Sequence, residues 1–158
     1  MRAALLGLSH PHTDILLTTF ENMPEITGVV LWDEDPLLVA KTKLALRPKV
    51  SLTTANLDQA LDQTDVQFAL VCVRNDRAYA VAQRVIAAGI HLLAEKPVAL
   101  TSKQILSLQE AAEQKGVVAS VLYSRRAHPC MVAARKMLRA GALGKLTSME
   151  TRFLTTQV

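Results

Sequence analysis

The sequence predicts an α/β protein with a doubly wound, mostly parallel sheet, and three observations carry that expectation. Short apolar runs alternate with helix-period segments from one end of the chain to the other. Capping and stop residues sit at the junctions: Asp35 before Pro36, Thr101 before Ser102, and Gly89 and Gly116 where helices should end. The apolar run from Ile90 to Ala94 also ends abruptly in Glu95, Lys96 and Pro97, placing an acid and a cation at the carboxyl end of a strand, the edge where open α/β sheets bind ligands.

Taken in order, strands are expected at Ala3 to Leu8, Thr27 to Trp32, Val50 to Leu52, Gln67 to Val73, Ile90 to Ala94 and Val117 to Leu122. Helices fit between them, from about His12, over Pro36 to Leu46, Leu57 to Gln63, Arg77 to Ala88 and Ser102 to Lys115, with a last one over Met131 to Ala140. After Gly141 and Gly144 the run Leu146 to Leu154 alternates in polarity like a half-exposed strand, with no helix after it. The expected division is therefore a sheet domain over 1–144, with 145–158 the first strand of a further, absent domain. A strand in search of a sheet is an association hazard, so homo-oligomers through that edge or through the absent domain are a natural expectation.

Composition narrows the classes. At 158 residues, 50% hydrophobic, the chain can bury the core of one domain. Its apolar stretches, such as Phe68 to Val73 and Ile86 to Ala94, are too short or too interrupted to span a bilayer, and Ala3 to Leu8 reads as a first strand, not a secretory leader; a cytoplasmic protein is expected. Cys72 and Cys130 have neither metal-ligand spacing nor disulfide density, so both are expected as reduced thiols with no metal site. The net charge of +4 gathers late, at Arg125, Arg126, Arg135, Lys136, Arg139 and Lys145, and aromatics make up only 4%. A solvated basic face outweighs a nucleic-acid surface, which would need those cations on one face and stacking side chains.

The first strand runs into Gly7-Leu8-Ser9-His10-Pro11-His12, where a dinucleotide-binding fold would carry G-x-G-x-x-G; Gly7 alone matches. Ser9 can still offer a hydroxyl to phosphate. A loop histidine touching phosphate or substrate competes with a helix-start histidine that faces water; solvation is the weightier reading, with His10 kept among the cofactor-binding candidates. Asp33 closes the second strand about twenty residues beyond the loop, the interval at which an acid reaches the ribose hydroxyls of adenosine. A turn acid before Pro36 is the competing reading. Glu34 and Asp35 follow with no Arg or Lys in that segment to receive a 2′-phosphate, which favours NAD over NADP.

The opening loop, Asp33, the Val71-Cys72-Val73-Arg74-Asn75 strand end, the block A-G-x-H-x-x-x-E-K-P-x-A-L-T from Ala88 to Thr101, and Arg125-Arg126-Ala127-His128-Pro129 together resemble the glucose-fructose oxidoreductase / inositol dehydrogenase family (Gfo/Idh/MocA). The likeness covers nearly the whole chain, and the E-K-P block is its most specific element. It implies an amino-terminal Rossmann domain of an NAD(P)-dependent oxidoreductase that takes hydride from a sugar, cyclitol or related polyol. By that resemblance Lys96 is the catalytic candidate, touching the substrate hydroxyl and the nicotinamide ribose. Gly7, Ser9, His10, Asp33, Asn75, Glu95, Lys96, Pro97 and Arg126 are the cofactor-binding candidates, Pro97 with a cis peptide bond left open. Departures are Val73-Arg74 where Thr-Pro is usual, Ala78 where His is common, and Ser9 and His12 in place of small residues.

The family's proton-transfer residues lie on a second domain, so these 158 residues are expected to bind nucleotide weakly and turn over poorly. A stand-alone NAD-binding regulatory module is the alternative.

Overall fold

Six strands form one parallel sheet in a computed structural model that describes residues 1–62 and 65–152. In chain order they are β1 (Arg2–Leu6), β2 (Gly28–Trp32), β3 (Val50–Thr54), β4 (Val66–Val71), β5 (His91–Ala94) and β6 (Ala119–Val121). Their order across the sheet, β3-β2-β1-β4-β5-β6, reverses direction between β1 and β4. The expected doubly wound architecture is thus present, and every pairing is parallel. The short strand at Val50 is real and extends to Thr54.

Both faces of the sheet are covered, which is why its two central strands, β1 and β4, are apolar over most of their length, Arg2 and Gln67 near their starts being the polar positions. One face carries Ala3, Leu5, Val29, Leu31, Leu70 and Cys72 against Leu17 and Phe20 of α1 (Thr13–Asn22). The other carries Ala4, Leu6, Val30, Trp32, Ala69 and Val71 against α3 (Leu57–Leu61), α4 (Asn75–Ala87) and α5 (Ser102–Lys115). Val85 and Ile86 of α4 are fully buried there, each worth about 1.5–3 kcal/mol of apolar transfer.

The expected punctuation holds. The Asp35 carboxylate accepts from the Leu37 amide at the start of α2 (Pro36–Lys41). Thr101 and Gln104 form a reciprocal capping box on α5, and Gly116 ends that helix at φ +67°. A single helix over Pro36 to Leu46 does not form. Thr42 is extended at φ −68°, ψ 129°, and its hydroxyl accepts from the Leu44 amide, ending α2 and opening a separate 3-10 turn at Lys43–Leu46. A threonine that can cap a new turn competes with the helix interior, and that competition breaks the helix. α4 begins at Asn75, two residues earlier than expected. The end of the helix expected to reach Gln63 falls outside the described residues.

The described chain divides into two compact units, Met1–Leu122 and Tyr123–Val158. Within the second, a 3-10 turn at Ser124–Ala127 precedes α6 (Pro129–Arg139), which has Pro129 in its first turn and no buried residue. Residues 146–152 are irregular, so the strand expected there is not formed over its described part. An alternating segment becomes a strand only when a neighbour pairs its amides and carbonyls. Phe153 and Leu154 lie outside the described residues.

Candidate functional site

The strand ends build the site by one repeated backbone bond. Gly7 donates to the Trp32 carbonyl at 2.7 Å, Cys72 to Leu6 at 2.7 Å, Glu95 to Val71 at 2.8 Å, Leu122 to Ala94 at 2.8 Å, and Asp33 to Thr54 at 3.4 Å. Each residue just past a strand is thereby tied to the last carbonyl of the neighbouring strand. Gly7, Asp33, Cys72 and Glu95 stand in a row along one rim, and the row crosses the reversal between β1 and β4, the place where open sheets leave a crevice.

Gly7 is fixed by sterics. Its φ is +117°, and a Cβ there would lie 2.2 Å from the Cys72 carbonyl oxygen, so only glycine lets β1 turn into the loop this close to β4. The buried Thr13 hydroxyl donates to the Gly7 carbonyl at 3.0 Å, fastening the loop to the first residue of α1. α1 therefore opens at the rim with its positive end there.

Asp33 is buried, and both of its carboxylate oxygens take backbone amides: Leu8 donates to Oδ2 at 2.7 Å and Asp35 to Oδ1 at 3.0 Å. Asp33 thus binds the β1 loop to the β2 turn, and each oxygen keeps acceptor capacity for a further donor. The two earlier readings of this acid, turn former and hydroxyl acceptor, are compatible.

Glu95 is 7% exposed and lies 2.9 Å from Nδ1 of His12, with Oε2 accepting the Lys96 amide at 3.2 Å. Burial pushes its carboxyl up, but the His12 hydrogen bond, the Lys96 amide and the charges of His12 and His10 outweigh that, and the net shift is downward. His12 stands at the start of α1 with its side chain half-exposed, as the solvated reading expects, but its ring does more than face water: it ties the loop to the turn that carries Lys96. The His12 amide donates to Nδ1 of His10 at 3.1 Å, and the two rings meet edge to face, 4.9 Å apart. Burial, then the charges of His12 and Lys96, hold His10 below its ordinary value against the opposing pull of Glu95. Cys72, under the same cluster, is pushed up to about 12 by burial and the Glu95 charge, with the Thr13 hydrogen bond pulling the other way.

Lys96 and Pro97 are exposed at the rim, joined by a cis peptide bond. Ser9 is exposed in the loop, and Asn75 is exposed as the first residue of α4. Arg126 belongs to the second unit, where its carbonyl accepts from Arg135 Nη2 at 2.6 Å. The first unit thus gathers Gly7, Ser9, His10, Asp33, Asn75, Glu95, Lys96 and Pro97 at the carboxyl ends of its strands. Sequence reasoning missed Thr13 and the Glu95 partnership of His12, and it missed Arg77, whose guanidinium lies 2.6 Å from the Glu34 carboxylate. Aligning the strands on their last apolar residues signals the row, whereas pairs formed across 83 or 43 positions leave no mark in local spacing. Among the described residues, no group of three or more His, Cys, Asp or Glu is arranged to hold a metal, and no helix is long and apolar enough to cross a membrane.

A six-stranded parallel sheet with its direction reversal at a glycine loop, and an acid at the end of the second strand, defines a dinucleotide-fold protein. The chain belongs to the Gfo/Idh/MocA oxidoreductase family with an NAD-binding Rossmann fold, whose family model matches residues 2–123. It is 33% identical over 100 residues to the uncharacterized oxidoreductase YhhX of Escherichia coli, covering 63% of this chain and 29% of YhhX. It is 26% identical over 125 residues to levoglucosan dehydrogenase of Pseudarthrobacter phenanthrenivorans, covering 79% of this chain and 32% of the enzyme. A solved levoglucosan dehydrogenase, in complex with NADH and levoglucosan, superposes with a TM-score of 0.80 at 22% identity over 92% of this chain and 40% of its own, a likeness of fold. The chain therefore spans about a third of the length of the curated relatives it matches.

Proposed function

We propose that this chain is the cofactor-binding part of an NAD-dependent dehydrogenase that takes hydride from a hydroxyl-bearing carbon of a sugar, cyclitol or related polyol. The observation that carries this reading is the rim: one row of strand-end residues places the Gly7 loop, the Asp33 carboxylate and the Glu95-Lys96-Pro97 turn on the same edge, across the sheet's reversal point. The donor set suits a dinucleotide. Residues of the Gly7–His12 loop and the opening turn of α1 would receive the pyrophosphate, and Asp33 has acceptor capacity for ribose hydroxyls. His12, the bulkiest departure from a glycine-rich loop, has its ring fixed by Glu95.

Bound nicotinamide supplies the hydride acceptor. Lys96 would donate a hydrogen bond to the substrate oxygen and stabilise the alkoxide that forms as a base of the substrate domain takes the hydroxyl proton, a charge that collapses into the carbonyl as hydride passes to the cofactor. Glu95 holds the Lys96 amide on one oxygen and His12 on the other, so the turn bearing the ammonium and the loop under the pyrophosphate keep one spacing. Ser9, His10 and Asn75, all of the first unit, complete the proposed cofactor contacts. Levoglucosan dehydrogenase, whose name states levoglucosan as its substrate, supports the substrate class.

The test is titration of NADH fluorescence. Wild type should bind saturably, Asp33→Ala should weaken binding about tenfold or more, equivalent to about 1.4 kcal/mol, and binding untouched by Asp33→Ala would refute the assignment of the ribose site.

A further inference from the structure

The three consecutive acids after β2 do different work. Asp33 spends its oxygens on the amides of Leu8 and Asp35, and Asp35 caps α2 through Leu37. Glu34 reaches away from its own turn and pairs with Arg77 of α4, the two groups 2.6 Å apart and about half exposed. β1 lies between β2 and β4, and α4 follows β4. The pair therefore joins the two sides of the crevice at the carboxyl end of β1, beside the buried Asp33. Arg74, the residue before α4, is paired instead with Asp76 at 3.1 Å.

We infer that the Glu34–Arg77 pair is the cofactor-selecting element of this site, keeping the Arg77 guanidinium engaged where a 2′-phosphate would otherwise be welcomed. The inference rests on the proposed dinucleotide function and names the residues that choose between its two forms. A 2′-hydroxyl needs only an acceptor, which Asp33 provides. A 2′-phosphate brings about two negative charges against Asp33 and Glu34, and the nearby guanidinium that could take it bidentately is already engaged. An exposed ion pair is weakly held, so its occupancy decides the preference without locking the crevice. Removing the Glu34 charge deletes one repulsion and releases Arg77 in a single step.

The experiment is calorimetric titration of the 158-residue chain with NADH and with NADPH, for wild type, Glu34→Gln, Arg77→Met and the double variant. The expected result is an NADPH-to-NADH affinity ratio that rises about tenfold in Glu34→Gln, about one charge interaction's worth, and returns to the wild-type value or below when Arg77→Met is added. An unchanged ratio in Glu34→Gln, or a gain that survives loss of Arg77, overturns the inference while leaving dinucleotide binding standing. Failure of wild type to bind either dinucleotide overturns the proposed function and this inference with it.

Discussion

Gly7→Ala is the most searching single change in this fold, because two separable costs meet at one position. The first is conformational: at φ +117° an L side chain sits in a region it rarely adopts, at about 1–2 kcal/mol. The second is a collision, since the new Cβ would stand 2.2 Å from the Cys72 carbonyl oxygen and 2.6 Å from its carbon. Both partners are backbone, so no rotamer change relieves the overlap and the strand ends must part. Overpacking of this kind costs about 1–3 kcal/mol. The sum, about 2–5 kcal/mol, is a large share of a typical domain stability of about 5–15 kcal/mol, and corresponds to a fall of roughly 4–20 °C in Tm for a chain of this size. Gly89→Ala is the internal control: its φ is +76° and a Cβ there meets nothing within 4 Å, so it carries the first cost without the second. Urea denaturation of the two variants isolates the collision. Gly7→Ala should be the less stable by about 2 kcal/mol. Equal destabilisation would mean that β1 and β4 do not approach at Gly7 and Cys72 as described, and the row of strand-end residues would lose its anchor.

The remaining expectations concern titration. The two thiols should separate in a disulfide-exchange assay: exposed Cys130 reacts in the native protein, whereas Cys72, buried and pushed up to about 12, reacts only on unfolding; two equivalents reacting natively at one rate would contradict the buried cluster. Stability should fall on acidification in two windows. His10 is shifted below its ordinary 6.5, so its contribution is complete above that value and declines as pH drops beneath it; Glu95 is shifted below 4.5, so its contribution is complete above that and is lost as pH falls further. Denaturation midpoints from pH 7.5 down to 3 should show both declines, Glu95→Gln should remove the lower one, and a flat profile would refute the electrostatic account of the loop.

What was legible in the sequence was legible for local reasons. The apolar runs, the Asp35 and Thr101 caps and the stops at Gly89 and Gly116 depend on residues within a few positions of each other, and the structure has them as expected. The parallel order then puts Asp33 and Glu95-Lys96 on one edge, because every strand leaves the sheet in the same direction. The break at Thr42 was hidden because a helix interior and a capped restart share the same apolar spacing. His12–Glu95 and Glu34–Arg77 were hidden because side chains that meet over a rim are set by three-dimensional register. Of these, only His12 lies in the loop where a glycine-rich motif would stand; Glu34 and Arg77 meet across the crevice from the turn after β2 and from α4.

The central claim is positional: a dinucleotide lies across the rim with its pyrophosphate on the Gly7–His12 loop and its nicotinamide end beside Lys96. A crystal structure of the chain grown with NADH measures this directly. The account predicts adenosine ribose at Asp33, pyrophosphate over the first turn of α1 and the nicotinamide ribose within hydrogen-bonding reach of the Lys96 ammonium; density for NADH anywhere off that row of strand ends would contradict it.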